Sequence, residues 1–161
     1  MAYKILISDK FDEEGVKRLK SASDFEVIYD KGYKRDEFLK LLPEANGLII
    51  RSATKVDKEA IAAAKNLKLI IRAGVGVDNI DIPEASRRGI IVMNSPGGNS
   101  VSTAELAIAL MFGLARNIPQ SNASMKSGKW EKSKFLGVEL SNKTLGVVGL
   151  GRIGLFDQIR L

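Results

Sequence analysis

The feature that most constrains this sequence is a series of five short apolar runs that recur about every 20 residues. They are rich in β-branched side chains and are centred near Ile5, Val27, Ile49, Ile70 and Val92. The first four are each followed by a segment of helical character: DEEGVKRLKSA, RDEFLKLL closed by Pro43, DKEAIAAAK and IPEASRRG. Because the runs are too apolar to alternate, they predict strands of a parallel sheet that helices cover on both faces.

Residues 1–98 are therefore predicted to form a single α/β domain, a doubly wound parallel sheet of five strands and of the flavodoxin-like type. A partial Rossmann sheet with another strand order fits the same pattern, and the sequence does not separate the two. The composition, 45% hydrophobic and 27% charged, is that of an ordinary globular protein with enough apolar side chains for a core.

The pattern changes after residue 98, where small and apolar residues follow a helical spacing for almost twenty positions in NSVSTAELAIALMFGLARN. Ser100 or Ser102 could cap this long helix, and Glu105 stands where a capping box with Ser102 requires it. A second helix is predicted over IPQSNASMKSGKW, with Pro119 in its first turn. We assign residues 99–161 to a hinge helix and the start of a second domain.

A glycine cluster follows the apolar run in KTLGVVGLGRIG, which predicts a new buried strand and a dinucleotide-binding turn. Gly149 would make the tight turn, Gly151 would let the backbone approach a pyrophosphate, and Gly154 would let the next helix pack closely. The spacing alone is a weak signal, and the preceding strand strengthens it. A complete site also needs a second strand and an acid roughly 20 residues later, and seven residues follow Gly154.

Charge and composition exclude several functions. The net charge of +6 is spread along the chain without a basic stripe, so we do not expect nucleic-acid binding. With no cysteine and no histidine, the sequence has no disulfide, no thiolate nucleophile and neither of the commonest metal ligands, and we predict no metal site. No stretch looks like a signal peptide or a membrane span, so we expect a cytoplasmic protein.

The candidate site lies at the carboxyl ends of the predicted strands, where open parallel sheets bind ligands. Arginines there could make charge-assisted contacts to a carboxylate or phosphate, and glycines allow the backbone close to a ligand. The mouth of the long helix favours an anion. Each segment alone is compatible with an ordinary turn, but three on one edge favour a site. The residues are Arg51 and Ser52, then Arg72, Gly74 and Gly76, and finally Asn99.

Four stretches together resemble the D-isomer-specific 2-hydroxyacid dehydrogenases, and most closely the 3-phosphoglycerate dehydrogenases of serine biosynthesis. The stretches are RAGVGVDNID, VMNSPGGNSVSTAEL, LARNIPQSNASMKSGKWEKSKFLGVEL and KTLGVVGLGRIG. The resemblance implies a flavodoxin-like substrate domain joined through the long helix to a Rossmann domain that binds NAD, with dimers formed mainly through the latter. It also implies NAD-linked oxidation of a small anionic 2-hydroxy acid.

The resemblance also implies roles for individual residues. Arg51 would bind the substrate's phosphate or carboxylate, and Asn99 would face the substrate. Lys132 falls where relatives can place a basic residue that reaches the partner subunit's substrate. Arg72 and the backbone of Ala73, Gly74, Val75 and Gly76 would line the cleft, with Val75 also near the nicotinamide, and Arg152 and Ile153 would lie on the NAD pyrophosphate.

The sequence departs from the family in one respect that matters for chemistry. The family's catalytic arginine, glutamate and histidine lie beyond the glycine cluster, so we expect no catalytic residue in these 161 residues and no turnover by them alone. The terminal LFDQIRL does not look like the helix that follows the cluster in the family. The alternative is a non-catalytic ligand-binding or oligomerisation module. Because the apolar face of AELAIALMFGLA has no predicted partner, we expect a homodimer or larger.

Overall fold

A computed structural model describes residues 2–30 and 32–159, and of residues 156–159 only the backbone. The chain forms two compact units, Met1–Gly98 and Asn99–Leu161. The strands are β1 (Tyr3–Ile7), β2 (Phe25–Tyr29), β3 (Gly47–Ile50), β4 (Leu69–Arg72) and β5 (Ile91–Asn94). The helices are α1 (Glu13–Ser21), α2 (Arg35–Leu41), α3 (Lys58–Ala63), α4 (Ile82–Arg87), α5 (Ser100–Ala115), α6 (Ile118–Lys126) and α7 (Arg152–Ile159), with 3-10 turns at Leu42–Glu44 and Lys132–Phe135.

The first unit is the predicted α/β fold. Its five strands are all parallel and lie in the order β2-β1-β3-β4-β5, which is the flavodoxin-like order and excludes the alternative left open by the sequence. Every predicted strand and helix of this unit is present. The apolar runs need no alternation where both faces of a strand are covered, and all four residues of the central strand β3 are buried.

The two faces of the sheet are covered unequally. On one face α2, α3 and α4 pack over Leu6, Leu48, Ile50 and Ile70 in a core of fifteen buried residues. On the other face α1 alone covers a cluster whose three buried members are Ile7, Val16 and Ile49. Next to this smaller cluster an apolar groove of about 350 Å³ is lined mainly by alternate residues of the same strands, such as Ile5 and Ile71.

The short helix α4 begins after Asp81, whose carboxylate accepts a hydrogen bond from the backbone N–H of Glu84 at 3.0 Å. Glu84 is itself only 7% exposed, and its carboxylate accepts hydrogen bonds from the guanidinium groups of Arg87 and Arg88. These two arginines, Arg87 first, hold the pKa of Glu84 below its ordinary value. The buried carboxylate is therefore paired on both sides, as a buried charge requires.

The second unit contains the predicted long helix and the helix after it, but two predictions for it were wrong. The long helix begins at Ser100 with Asn99 as its N-cap, and no side-chain hydrogen bond caps it; the Ser102 hydroxyl instead donates to the Asn99 carbonyl, so no capping box forms. The strand predicted over residues 143–151 is also absent, and Val148 is fully exposed. A strand needs a neighbour for its backbone hydrogen bonds, and none is present in the described part of this unit.

Two further features of the second unit concern its helices. Residues 152–159 are helical, whereas Arg160 and Leu161, the end of the segment that does not look like the family's helix, lie outside the described residues. No single helix among those described is long and apolar enough to cross a membrane; α5 and α6 reach that length and composition only as a pair, across a 64° bend.

Candidate functional site

The segments that follow β3, β4 and β5 lie side by side at one edge of the sheet. The backbone N–H of Ala73 donates to the Ile50 carbonyl at 2.8 Å, which joins the first two segments. The N–H of Ser95 donates to the Gly74 carbonyl at 2.9 Å, which joins the last two. The structure therefore brings together the residues predicted at 51–52 and at 72–76, and it adds the start of the segment after β5. We call this edge, residues 51–54, 72–79 and 94–98, the carboxyl rim.

Arg51 and Ser52 stand on the segment after β3 with exposed side chains. Within the described part of the chain, the Arg51 guanidinium makes one long hydrogen bond, 3.4 Å from Nη1 to the Lys10 carbonyl, and the Ser52 hydroxyl has no partner. The Arg51 backbone, by contrast, is bonded at both its N–H and its carbonyl, to Asp9 and Asn79. The backbone of Arg51 is thus fixed, while its guanidinium is held only by the long bond to Lys10.

Arg72 ends β4 and lies across the glycine turn that follows. A Cβ atom added at Gly74 would stand 2.5 Å from Arg72 Nη1, and one at Gly76 would stand 3.8 Å from it. The Nε of Arg72 is buried and has no hydrogen-bond partner among the described residues. Any side chain at Gly74 would therefore displace the Arg72 guanidinium from this position.

Neither rim arginine pairs with a carboxylate of the described residues, unlike Arg35, Arg87 and Arg88 of the same unit. Guanidinium groups without a counter-charge attract anions, and the planar fork suits carboxylate and phosphate. The rim therefore offers two available guanidinium groups beside a turn whose glycines leave room for a ligand. This is the arrangement expected of a site for a small anion.

Three residues that the sequence reasoning missed hold the rim together. Asp9 accepts hydrogen bonds from the segment after β3, and the Nδ2 of Asn79 donates to that segment from the one after β4. The Nδ2 of Asn94 donates to the Val75 carbonyl at 2.8 Å, while the Val75 side chain is exposed. Each lies at or after the carboxyl end of a strand, which is the signal that identified Arg51.

In the second unit the predicted residues are placed as follows. Asn99 precedes α5, and its carbonyl accepts hydrogen bonds from the Thr103 N–H and hydroxyl. Lys132 begins a 3-10 turn with its side chain exposed. Arg152 and Ile153 form the first turn of α7, between Gly151 and Gly154 of the glycine cluster.

The strand predicted before the glycine cluster is absent, but two of its glycines stand where a side chain would be unfavourable. Gly149 has a φ of +103°, which favours glycine, and a Cβ at Gly154 would collide with the Gly149 carbonyl oxygen, so only glycine fits there. A Cβ at Gly151 would meet nothing within 4 Å, and the Leu155 N–H donates to the Gly151 carbonyl at 3.1 Å. The turn thus packs tightly against the helix and leaves open space at its middle glycine, which fits a pyrophosphate at a helix N-terminus.

No group of three or more acidic side chains in the described residues could hold a metal ion. The two places in the described chain that offer groups suited to an anion are the carboxyl rim, with its guanidinium groups, and the glycine cluster, at the start of a helix.

Comparison with known proteins identifies the family. The profile of the D-isomer specific 2-hydroxyacid dehydrogenase catalytic domain matches residues 5–149. The chain belongs to this family. Its members' activity is that of dehydrogenases acting on 2-hydroxy acids, and the family match runs through the whole carboxyl rim and reaches the first glycine of the cluster.

Individual relatives and structures agree with the family. The chain is 53% identical over 151 residues to a D-3-phosphoglycerate dehydrogenase of Archaeoglobus fulgidus, covering 94% of this chain and 28% of that protein. The TT0316 protein of Thermus thermophilus superposes with a TM-score of 0.86 at 34% identity, over 96% of this chain and 51% of that one. The NAD+-bound 3-phosphoglycerate dehydrogenase of Entamoeba histolytica superposes with a TM-score of 0.76 at 34% identity, over 98% of this chain and 49% of that one. The chain thus spans just over a quarter of the length of the curated relative it matches.

Proposed function

We propose that this chain carries the substrate-binding rim and the first part of the NAD site of a dehydrogenase that oxidises 3-phosphoglycerate. The observation that supports this most directly is the pair of uncompensated guanidinium groups, Arg51 and Arg72, beside the Gly74 turn. 3-Phosphoglycerate carries a carboxylate and a phosphate, and two separate cations suit a substrate with two anionic ends. The name of the Archaeoglobus relative supports the choice of substrate within the family.

The chain's own part in the reaction is to bind and orient. At the rim, the two arginines hold the anionic ends of the substrate, and the backbone of residues 73–76 lies at the same edge. At the glycine cluster, the open position at Gly151 and the first turn of α7, with Arg152 and Ile153, hold the pyrophosphate of NAD. Bound NAD would accept the hydride that leaves the substrate's hydroxyl-bearing carbon, so that the 2-hydroxy acid becomes a 2-oxo acid.

Proton removal from the substrate hydroxyl requires a base that we do not assign to this chain. The resemblance assigns that task to a histidine, and the 161 residues contain none. We therefore expect that the purified chain produces no NADH from 3-phosphoglycerate and NAD. Steady NADH formation, followed by absorbance with homogeneous chain, would overturn this part of the proposal.

Binding can be tested separately from turnover. Calorimetric titration of the 161-residue chain with 3-phosphoglycerate should give saturable binding, and Arg51→Gln and Arg72→Gln should each weaken it by about tenfold, because each removes a charge-assisted contact. Arg18→Gln is the matched control: Arg18 lies on α1, away from the rim, and should leave affinity unchanged. Equal affinity of all four proteins would refute the rim as the substrate site.

A second candidate, an oligomerisation module without chemistry, is favoured by a different observation. The second unit exposes large apolar side chains on α5 and beyond it, among them Leu110, Leu114, Trp130, Leu136 and Val138. Exposed apolar side chains in this number favour association with another protein surface. We propose a homodimer or larger in either case, and binding of neither 3-phosphoglycerate nor NAD would leave the module as the better function.

A further inference from the structure

The segment that carries Arg51 is held from two sides by residues of neighbouring loops. Asp9 follows β1, and Asn79 belongs to the loop after β4, so the two lie on opposite sides of the segment after β3 in the strand order. We propose that Asp9 and Asn79 are positioning residues that fix the backbone of Arg51 and thereby set the affinity for the anionic end of the substrate. This inference rests on the proposed role of Arg51.

Asp9 is 6% exposed, and both of its carboxylate oxygens are used. Oδ2 accepts hydrogen bonds from the N–H of Arg51 and, at 3.3 Å, from the N–H of Thr54, and Oδ1 accepts one from the Thr54 hydroxyl. The Ser8 hydroxyl lies 2.9 Å from that of Thr54 and extends the network. Asp9 thus binds the segment at its first and fourth residues.

Asn79 binds the same two residues through their carbonyls. Its Nδ2 donates to the Arg51 carbonyl and to the Thr54 carbonyl, each at 2.7 Å. The orientation of the amide follows from these neighbours, because a flipped amide would set its oxygen against two acceptors. The Asn79 carbonyl also accepts the Val56 N–H at 2.8 Å, which fixes Asn79 itself.

The consequence is that Arg51 has its backbone bonded at both its N–H and its carbonyl, while its guanidinium makes only one long hydrogen bond within the described residues. A guanidinium that starts from a fixed backbone position loses less conformational freedom on binding, so the ligand is held more tightly than by the same side chain on a mobile loop. Charge alone predicts the opposite effect for Asp9, because a carboxylate at the rim repels an anion. Whether removal of the Asp9 carboxylate weakens or tightens anion binding therefore distinguishes positioning from electrostatics.

The test measures affinity of the whole 161-residue chain for 3-phosphoglycerate and for inorganic phosphate by calorimetry. Asp9→Ala and Asn79→Ala should each weaken binding by about tenfold, because each removes at least two hydrogen bonds to the segment. Asp9→Asn should restore affinity to within about threefold of the wild type, since its amide oxygen still accepts the backbone N–H groups and the Thr54 hydroxyl can turn to accept from the amide. Unchanged or tighter binding by Asp9→Ala would overturn the proposal.

Matched controls separate this effect from general ones. Asp24→Ala removes an exposed carboxylate elsewhere in the unit, and Asn66→Ala removes a single amide hydrogen bond, to the Pro43 carbonyl; both should bind as the wild type does. If Arg51→Gln weakens binding but Asp9→Ala and Asn79→Ala do not, the positioning role fails and the proposed function stands. If Arg51→Gln has no effect, the proposed role of Arg51 fails instead.

Amide hydrogen exchange measures the positioning without any ligand. In Asp9→Ala, exchange at Arg51 and Thr54 should become about tenfold faster, because their N–H groups lose their acceptor. Exchange at Ser8, whose N–H donates to the Ile49 carbonyl at 3.1 Å, should not change and reports that the sheet remains folded. Unchanged exchange at Arg51 would overturn the proposal even if affinity fell.

Discussion

The guanidinium of Arg72 occupies the space that a side chain at Gly74 would need, with Nη1 only 2.5 Å from the position of an added Cβ. The last residue of β4 and the turn that follows it therefore depend on each other. Because Gly74 has no side chain, the charged group of Arg72 can lie over the turn. This relationship is not evident from either residue type alone.

Gly74→Ala should weaken 3-phosphoglycerate binding by about tenfold while the fold remains intact, because the methyl group displaces the Arg72 guanidinium from the rim. Calorimetry gives the affinity, and far-ultraviolet circular dichroism confirms the fold. Gly113→Ala is the control, since a Cβ there meets nothing and alanine favours the helix. Wild-type affinity in Gly74→Ala would show that the position of Arg72 is unimportant for binding.

The glycine cluster offers a pair of substitutions with opposite expected behaviour. Gly154→Ala should disrupt the turn before α7, because its Cβ would collide with the Gly149 carbonyl, and exchange of the Leu155 amide should become faster. Gly151→Ala should leave that exchange unchanged and weaken NAD binding, because its Cβ enters the open space at the turn. The affinity for NADH, which carries the same pyrophosphate, is measured by its fluorescence, and unchanged or tighter binding by Gly151→Ala would contradict the proposed pyrophosphate position.

Glu84 should make stability depend on pH in the acidic range. Hydrogen bonds from Arg87 and then Arg88 lower its pKa in the folded state below the ordinary value of 4.5. A lowered carboxylate pKa stabilises the fold above the ordinary value, and this stabilisation disappears as the pH falls through the folded-state pKa. Urea unfolding should find Glu84→Gln less stable than the wild type at about pH 7, with the difference shrinking below pH 4.5. As a control, Glu139→Gln removes an exposed carboxylate and should leave the free energy of unfolding at neutral pH unchanged.

The unequal faces of the sheet predict unequal costs of truncation. Leu48→Ala should lower the free energy of unfolding by about 2–5 kcal/mol, because Leu48 is fully buried in the larger core. Ile91→Ala, on the other face and 62% exposed, should cost less than about 1 kcal/mol. Equal costs in urea unfolding would mean that Ile91 is covered in solution.

Self-association should depend on the apolar surface of α5. Light scattering should show a mass above that of the 17.5 kDa monomer, and Leu110→Lys combined with Leu114→Glu should shift it toward the monomer. Asn122→Lys, which adds a charge on exposed α6 without removing apolar surface, should leave the mass unchanged. A monomeric wild type at high concentration would exclude association through this surface.

Much of the first unit was predictable because its signals are local. The near-continuous apolar runs predicted the correct strands. Because helical segments separate these runs, the strands were also correctly predicted to be parallel. The predicted strand at 143–151 failed for a non-local reason: its apolar pattern is suitable, but its backbone has no neighbour to pair with among the described residues. The prediction that Ser102 caps the helix was wrong because the helix already begins two residues earlier, at Ser100.

The site shows the same difference between residues with local signals and residues whose contacts are distant in sequence. Arg51, Arg72 and the glycines were identified from their place after a strand and their chemistry. Asp9 and Asn79 were missed because their partners lie 42 to 45 and 25 to 28 residues away, so nothing in their own surroundings discloses the contact. Their position after a strand was visible, but the sequence does not show that their side chains bond the segment after β3.

The unequal covering of the two sheet faces in the first unit also bears on which of its positions can change during evolution. On β5, Val92 packs against the larger core, while Ile91 and Met93 point to the other face and are mostly exposed. We therefore expect substitutions at Val92 to cost more folding stability than substitutions at Ile91 or Met93. New binding specificities can therefore arise on that face one residue at a time, without passing through an unfolded ancestor.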